Sequence, residues 1–269
     1  MNQSLDIRTP DAKTDLAGIA AELGIRIEQA GTGRTVLLLH GGGGPMSVSA
    51  FAGDLARFKQ VITPTHPGFA GAPRPDHMTS VKELARTYVT LIERARLHDV
   101  LVIGFSIGGW IAAEMATLRP AGVAGFILVD ATGITVPGQT VLDIFSIAPS
   151  EIASFSYHTP DKYRIDPSKM TEQQLAGMKA NFATLAAYSR AVNGQDPDLR
   201  ERLSAVQTPA LIVWGESDRV VYPDYGRAFA AAFPKGRFAL IAECGHMPQI
   251  EQPQRLRELI REFEHALPR

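Results

Sequence analysis

The sequence predicts an α/β protein, a mostly parallel central sheet flanked by helices, with a helical cap inserted into it. Three observations carry that expectation. Short apolar runs such as "GFILVDAT", "ALIVWGESD" and "RFALIAECGH" alternate with amphipathic stretches of helical period, the pattern of strands covered by crossover helices. One run, "DVLVIGFS", is apolar at nearly every position, as a strand buried on both faces must be. Between Asp130 and Pro209 the strand pattern lapses for roughly 75 residues and helical periodicity takes over. That stretch lacks strands and reads as an insertion, so the core spans 1–130 and 206–269 and the cap spans 131–205.

Taken in order, "IRIEQ" and "TVLLLH", separated by Gly31-Thr32-Gly33, read as a hairpin at the sheet edge. "QVITPT" follows as a strand. A helix then runs from Val81 to about Leu97, opened by Ser80 and Glu83 at capping-box spacing. After "DVLVIGFS" comes a helix from Ile107 to Leu118, stopped by Pro120. In the cap the clearest helix is "TEQQLAGMKANFATLAAYSRAV", opened by a Thr171/Gln174 capping box. The last helix, Pro253 to about Leu267, begins with proline where the first turn tolerates it.

A chain of 269 residues suits one α/β domain with a large core. Its 27 basic and 28 acidic side chains nearly cancel, which leaves no electrostatic footprint for nucleic acid or an anionic membrane. The one cysteine, Cys244, excludes an intramolecular disulfide and a cysteine-built metal site. The opening "MNQSLDIRTPDAKTDLAG" has no continuous apolar core, and no apolar run approaches the roughly 20 residues of a membrane span. A cytoplasmic protein with a small-molecule substrate is expected. The oligomeric state is not legible in the sequence.

The chemistry centres on Gly104-Phe105-Ser106-Ile107-Gly108. G-x-S-x-G between a buried strand and a helix makes a sharp turn that lifts the serine hydroxyl above the sheet edge. Holding the serine there strains its backbone by about 1–3 kcal/mol, and the flanking glycines remove Cβ atoms that would collide. The first N–H groups of the following helix, Ile107 foremost, then face any anion at the serine. A serine needs a general base that is itself oriented by a carboxylate. His246, in the Gly/Pro-bounded loop "ECGHMPQIEQP", is the preferred base. His40 reads as structural, and His66, His77, His98, His158 and His265 as solvated. Asp218, just past "ALIVWG", is the preferred acid, with Asp130 at the end of "FILVD" as its competitor; Glu216 faces solvent or buttresses the turn. A second oxyanion donor is expected from the glycine loop in "LLLHGGGGPMS". No G-x-x-x-x-G-K-[ST] pattern makes that loop a phosphate cradle.

Together these residues resemble the α/β-hydrolase superfamily over about residues 24 to 268. The resemblance implies the α/β-hydrolase fold, the triad Ser106, Asp218 and His246 in the family's chain order, and Gly42 as the oxyanion donor beside Ile107. It implies hydrolysis of carboxylic esters through an acyl-enzyme, with no metal and no organic cofactor. Departures are visible. "PTHPGFAGAPRP" resembles the family's Asp-x-Pro-Gly-x-Gly-x-Ser turn, but Thr65 replaces the acid and Arg74 or a neighbour replaces the serine, while Gly68 is kept. "HGGGGP" is one glycine longer than the run of carbon–carbon bond hydrolases, and Met247 stands where those enzymes usually carry an aromatic residue. Serine at 106 argues against the epoxide-hydrolase and dehalogenase branches. Carbon–carbon or lactone cleavage on the same triad is the alternative activity, and a ligand-binding receptor without chemistry is the alternative of another class. A cofactor-free oxygenase or perhydrolase would use the same motifs. Cap residues Phe145, Phe182, Tyr188 and Arg190, with Met247, are the candidate substrate contacts, Arg190 and Arg164 being possible anchors for a carboxylate.

Overall fold

Strands that are apolar on both faces need helices on both sides, and the structure supplies them. This is a computed structural model that describes residues 15–164 and 166–268. Residues 1–14, read above as part of the core and as carrying no leader, lie outside the described residues. The first half of the core runs α1 (Leu16–Glu22), β1 (Arg26–Ala30), β2 (Thr35–Leu39), α2 (Ser49–Leu55), β3 (Gln60–Thr65), α3 (Val81–Arg94), β4 (Val100–Phe105), α4 (Ile107–Thr117) and β5 (Val123–Val129). The inserted part holds β6 (Gly133–Ile134), α5 (Ile152–Ser156), α6 (Pro160–Tyr163), α7 (Glu172–Ser189), β7 (Gln195–Asp196) and α8 (Leu199–Leu203). The chain closes with β8 (Ala210–Gly215), α9 (Pro223–Ala232), β9 (Gly236–Ile241), α10 (Pro248–Glu251) and α11 (Pro253–His265).

The seven-stranded sheet has the order β1-β3-β2-β4-β5-β8-β9 and is parallel except for β1, which runs antiparallel to β3. Side chains alternate between two cores. Leu37, Leu39, Val102, Ile212 and Trp214 face the layer of α3, α4 and α9, whereas Val36, Leu38, Ile103 and Val213 face α2 and α11. Among the described residues no helix is long and apolar enough to cross a membrane.

The expected hairpin of β1 and β2 does not form. β3 lies between them, pairing Arg26↔Thr65 on one side and Thr35↔Gln60 on the other. Burial explains the correction. All five residues of β2 are buried, while four of the five in β1 are exposed. The apolar strand therefore takes an interior position with a partner on each edge, and the polar one takes the rim. Gly31 (φ 76°) makes this possible, since a Cβ there would fall 2.1 Å from the Lys59 carbonyl of the turn leading into β3.

Two capping predictions meet the structure differently. In α7 both halves of the Thr171/Gln174 box are present. In α3 the Ser80 hydroxyl donates to the Glu83 carboxylate (2.6 Å) and accepts from the Glu83 N–H (3.4 Å), but that carboxylate takes the N–H of Thr79 rather than that of Ser80. α3 ends at Arg94, three residues short of the expected Leu97, because Arg96 turns left-handed at φ 49°.

The inserted segment is not wholly free of strands, as the sequence suggested. β6 and β7 form a two-residue parallel pair, Gly133↔Gln195 and Ile134↔Asp196, too short to leave a periodic signal. One face of α7 clamps the segment onto the loops after β2 and β3. Asn181 accepts from the Ala70 N–H (2.8 Å) and donates to the Gly43 carbonyl (3.1 Å), Thr184 donates to the Gly68 carbonyl (2.8 Å), and Tyr188 donates to the Pro67 carbonyl (3.0 Å). Positions 181, 184 and 188 recur at helical spacing, so one stripe makes all these contacts.

The turn between β4 and α4 is a close crossing of main chains. A Cβ on Gly104 would lie 2.2 Å from the Gly108 carbonyl oxygen, and one on Gly108 would lie 2.3 Å from that of Leu39. Both obstacles are backbone and cannot rotate away. Gly104→Ala and Gly108→Ala are each expected to cost upwards of about 2 kcal/mol, read as a lowered denaturation midpoint. Gly53→Ala, inside α2 with nothing within 4 Å, is the control expected to hold or slightly raise the midpoint, because alanine favours the helix.

Candidate active site

Ser106 caps α4 with φ 53° and ψ −116°, outside the regions that L-residues favour. The sheet holds it there. Its N–H donates to the Val129 carbonyl of β5 (2.9 Å), and its own carbonyl accepts the Trp110 N–H of α4 (3.1 Å). The side chain is half-buried and borders a cavity. Ile107, the first residue of α4, has no intrahelical partner for its N–H. The glycine loop passes alongside, with a Cβ on Gly41 falling 3.4 Å from that of Ser106. At Gly42 a Cβ would strike Leu185 of α7 at 2.5 Å, so the cap presses this loop against the serine. Among the described residues the Gly42 N–H has no protein acceptor.

Asp218 and His246 come from the loops after β8 and β9. The His246 Nδ1 and an Asp218 carboxylate oxygen lie 2.8 Å apart. The other carboxylate oxygen accepts the N–H groups of Val220 (2.8 Å) and Val221 (3.0 Å), a turn that fixes the acid beneath the ring. Asp218 is buried and His246 nearly so. The loops meet because Gly215 lacks a side chain, since a Cβ there would sit 2.0 Å from the Gly245 carbonyl. An imidazole so held can shuttle a proton, with its tautomer fixed by the acid.

Asp130 did not displace Asp218 as the partner of His246. It lies directly behind, with one of its oxygens, one from Asp218 and one ring nitrogen of His246 all within 4.8 Å of one another. Glu216 is exposed and accepts from the Glu243 N–H, bridging the two loops. His158 is exposed and hydrogen-bonds Ser217 (2.7 Å). His66 corrects the sequence reading, because it is fully buried rather than solvated. Its ring centre lies 3.8 Å from that of His40, the two planes tilted by 36°, and the ring pairs with the Tyr88 hydroxyl (2.5 Å). The place of the acidic residue that family members carry before it is taken by Thr65, and His66 itself now bonds back to the His40 carbonyl (3.0 Å).

The cavity at Ser106 is small, about 50 Å³, and opens toward solvent. Of the expected substrate contacts, Phe145 lines it. Phe182 packs edge-on against Phe145, Tyr188 points to Pro67, and Met247 lies outside the lining. Arg190 is exposed over the Phe145 ring (5.7 Å), and Arg164 is exposed beside Asp161. Sequence reasoning missed Asp143, Thr132, Ser189 and Asn193, which supply the polar part of the lining. It also missed Glu251, whose carboxylate collects the N–H groups of Gly245 (2.6 Å), His158 (3.0 Å) and Thr159 (3.3 Å). With the His246 N–H donating to the Ser156 carbonyl (2.7 Å), Glu251 ties the histidine loop to the cap. Only the turn pair Asn193-Gly194 left any sequence signal of these.

Parallel strands whose ends gather a strained serine, a glycine loop and a paired acid and histidine are the architecture of a hydrolase. A family model described as the Alpha/beta hydrolase family matches residues 36–259, and the chain belongs to that family. It is 27% identical to the 2-hydroxy-6-oxononadienedioate/2-hydroxy-6-oxononatrienedioate hydrolase of Paraburkholderia phymatum, over 90% of this chain and 91% of that protein. It is likewise 27% identical to the acetyltransferase component of the acetoin cleaving system of Pseudomonas putida, over 90% and 68%. Among solved structures, the meta-cleavage product hydrolase of Pseudomonas fluorescens IP01 matches with a TM-score of 0.74 at 19% identity, covering 90% of this chain and 94% of that one. A thermophilic esterase from Thermogutta terrifontis matches at 0.70 and 25%, covering 90% and 93%.

The buried histidine pair sets a pH limit on the fold. Burial brings the His40 imidazole down to about 4, and burial together with the neighbouring His40 ring lowers His66 as well. Both fold as neutral rings, whereas the unfolded chain takes up protons below about 6.5. Stability is therefore full above about pH 6.5 and falls as pH drops toward 4, with His40 alone contributing about 3 kcal/mol of loss. Thermal melts at about pH 7.5 and about pH 4.5 should show the decline. A pH-independent midpoint would contradict neutral burial of these rings.

Proposed function

We propose that the chain is a serine hydrolase acting on neutral carboxylic esters with a mainly apolar acyl or alcohol part. Ser106 attacks the ester carbonyl, His246 accepts its proton and passes it to the leaving alcohol, and Asp218 holds the imidazole tautomer. The Gly42 and Ile107 N–H groups receive the oxyanion. Water, activated by His246, then releases the acid from Ser106.

The observation that carries the ester reading is the lining of the cavity. Val141, Leu142, Ile144, Phe145, Leu185 and Val220 make it apolar, and its one charged lining residue among those described is the acid Asp143. A substrate carboxylate would meet no cation there and one like charge. The dioate named for the Paraburkholderia relative carries two carboxylates; carbon–carbon hydrolysis is the second reading, favoured by the likeness to that relative and to other hydrolases of its kind.

Turnover of paired aryl esters separates the two. A neutral acyl ester should be cleaved at least about tenfold faster in kcat/KM than the chain-matched half-ester of a dicarboxylic acid. Asp143→Asn should narrow the gap by about threefold, since the acid is solvent-exposed and screened. Ser106→Ala should abolish turnover of both, a loss on the order of 10⁴–10⁶. Preference for the half-ester would overturn the neutral-substrate reading, and cleavage of a vinylogous diketone with none of either ester would replace the ester reading. Binding without cleavage of any of them would leave a receptor.

A further inference from the structure

Asp130 takes no part in the steps above, yet its carboxyl group is fully buried against the triad. It follows the last residue of β5 in a left-handed conformation at φ 45°, a strained position for an aspartate. Its Oδ1 accepts the Gly215 N–H (2.9 Å), while its Oδ2 has no hydrogen-bond partner. A buried polar oxygen without a partner is rare enough to need a reason. The Asp218 carboxylate beside it is already served by three N–H donors, from Val220, Val221 and His246. Two carboxylates this close in a buried site cannot both ionise. The one with three donors keeps the charge, and the one with a single donor keeps the proton.

We propose that Asp130 is a neutral carboxylic acid at neutral pH whose O–H donates a hydrogen bond to Asp218, making it a positioning residue for the acid of the triad. The proton satisfies the otherwise orphaned Oδ2 and replaces carboxylate repulsion with attraction. It leaves a single negative charge beneath His246, matched to the single positive charge the ring gains during catalysis. The groups that face Asp130 agree. Asp218 and His246 come from the loops after β8 and β9, Glu251 from α10, and the Cys244 thiol from the loop before His246. Burial first, and the Asp218 charge second, push the Asp130 carboxyl well above the usual carboxylate range.

The inference rests on the triad reading, but its first test needs no substrate. The infrared difference between the whole protein and its Asp130→Asn variant at neutral pH should contain the C=O stretch of a protonated carboxyl group, lost in the variant. Loss of ionised-carboxylate bands alone would overturn the proposal. The second test uses ester turnover. Asp130→Ala should lower kcat on the order of tenfold with little change in KM, and Asp130→Asn should recover most of that loss because its amide donates where the acid did. The acid limb of the kcat/KM profile should keep its midpoint in Asp130→Asn. A midpoint lower by about one unit would mean that a negative charge had been removed from beside His246, and would overturn the proposal. Should Asp130→Ala fail to fold, the spectrum and the Asn profile decide. Should no ester be cleaved at all, the ester reading falls and the infrared band alone judges Asp130.

Discussion

Backbone pressed against backbone at the C-terminal edge of the sheet is the constraint from which the rest follows. Gly104 and Gly108 touch each other's main chain and the end of β2, and Gly215 touches the loop that carries His246. Where two main chains approach this closely no side chain fits, so the strand ends can converge. That convergence brings the glycine loop to the Ser106 turn and the Asp218 loop to the loop that carries His246. Strain at Ser106 is tolerated because its N–H is bonded into β5 and its carbonyl into α4, so relaxing the turn would break the sheet and helix that hold it.

Electrostatics of the site follow from burial rather than from surface charge. The chain is nearly neutral overall, yet its interior holds two adjacent imidazoles without charge and a pair of carboxyl groups within reach of His246. Water is excluded from all of them, so each group must either shed its charge or find donors. Asp218 has its donors in the turn at Val220 and Val221. The histidine pair is neutral and satisfied by Tyr88 and by backbone. The cap completes this enclosure. α7 is anchored to the loops after β2 and β3, and Glu251 fastens the segment after α5 to the histidine loop.

The sheet, the serine turn and the pairing of His246 with Asp218 were legible because each rests on local chemistry. Apolar runs fix strands, G-x-S-x-G fixes a turn, and polar residues at strand ends must lie on one edge of a parallel sheet. The order of β1, β2 and β3 was not legible. Neighbours in sequence suggest a hairpin, and only the contrast in burial between "RIEQA" and "TVLLL" decides for an interior β2. His66 looked like a turn residue by composition, but its burial depends on Tyr88, 22 positions away. The cavity lining was the least legible of all. Phe182 and Tyr188 share a helix with Leu185 and Ser189, with Arg190 at its C-terminal cap, and helical period alone cannot say which of its faces meets the cavity. Asp143 and Glu251 act through the folded path of the main chain, which leaves no periodic mark.

On the proposed mechanism, the turn at residue 106 and the base His246 together make Ser106 an activated nucleophile. Intact-protein mass spectrometry after exposure to a serine-directed fluorophosphonate, with peptide mapping of the adduct, tests it most directly. The account predicts one adduct per chain, on Ser106, formed much more slowly once His246 is replaced by alanine. A folded protein that takes no adduct, or takes it on another serine, would contradict the account.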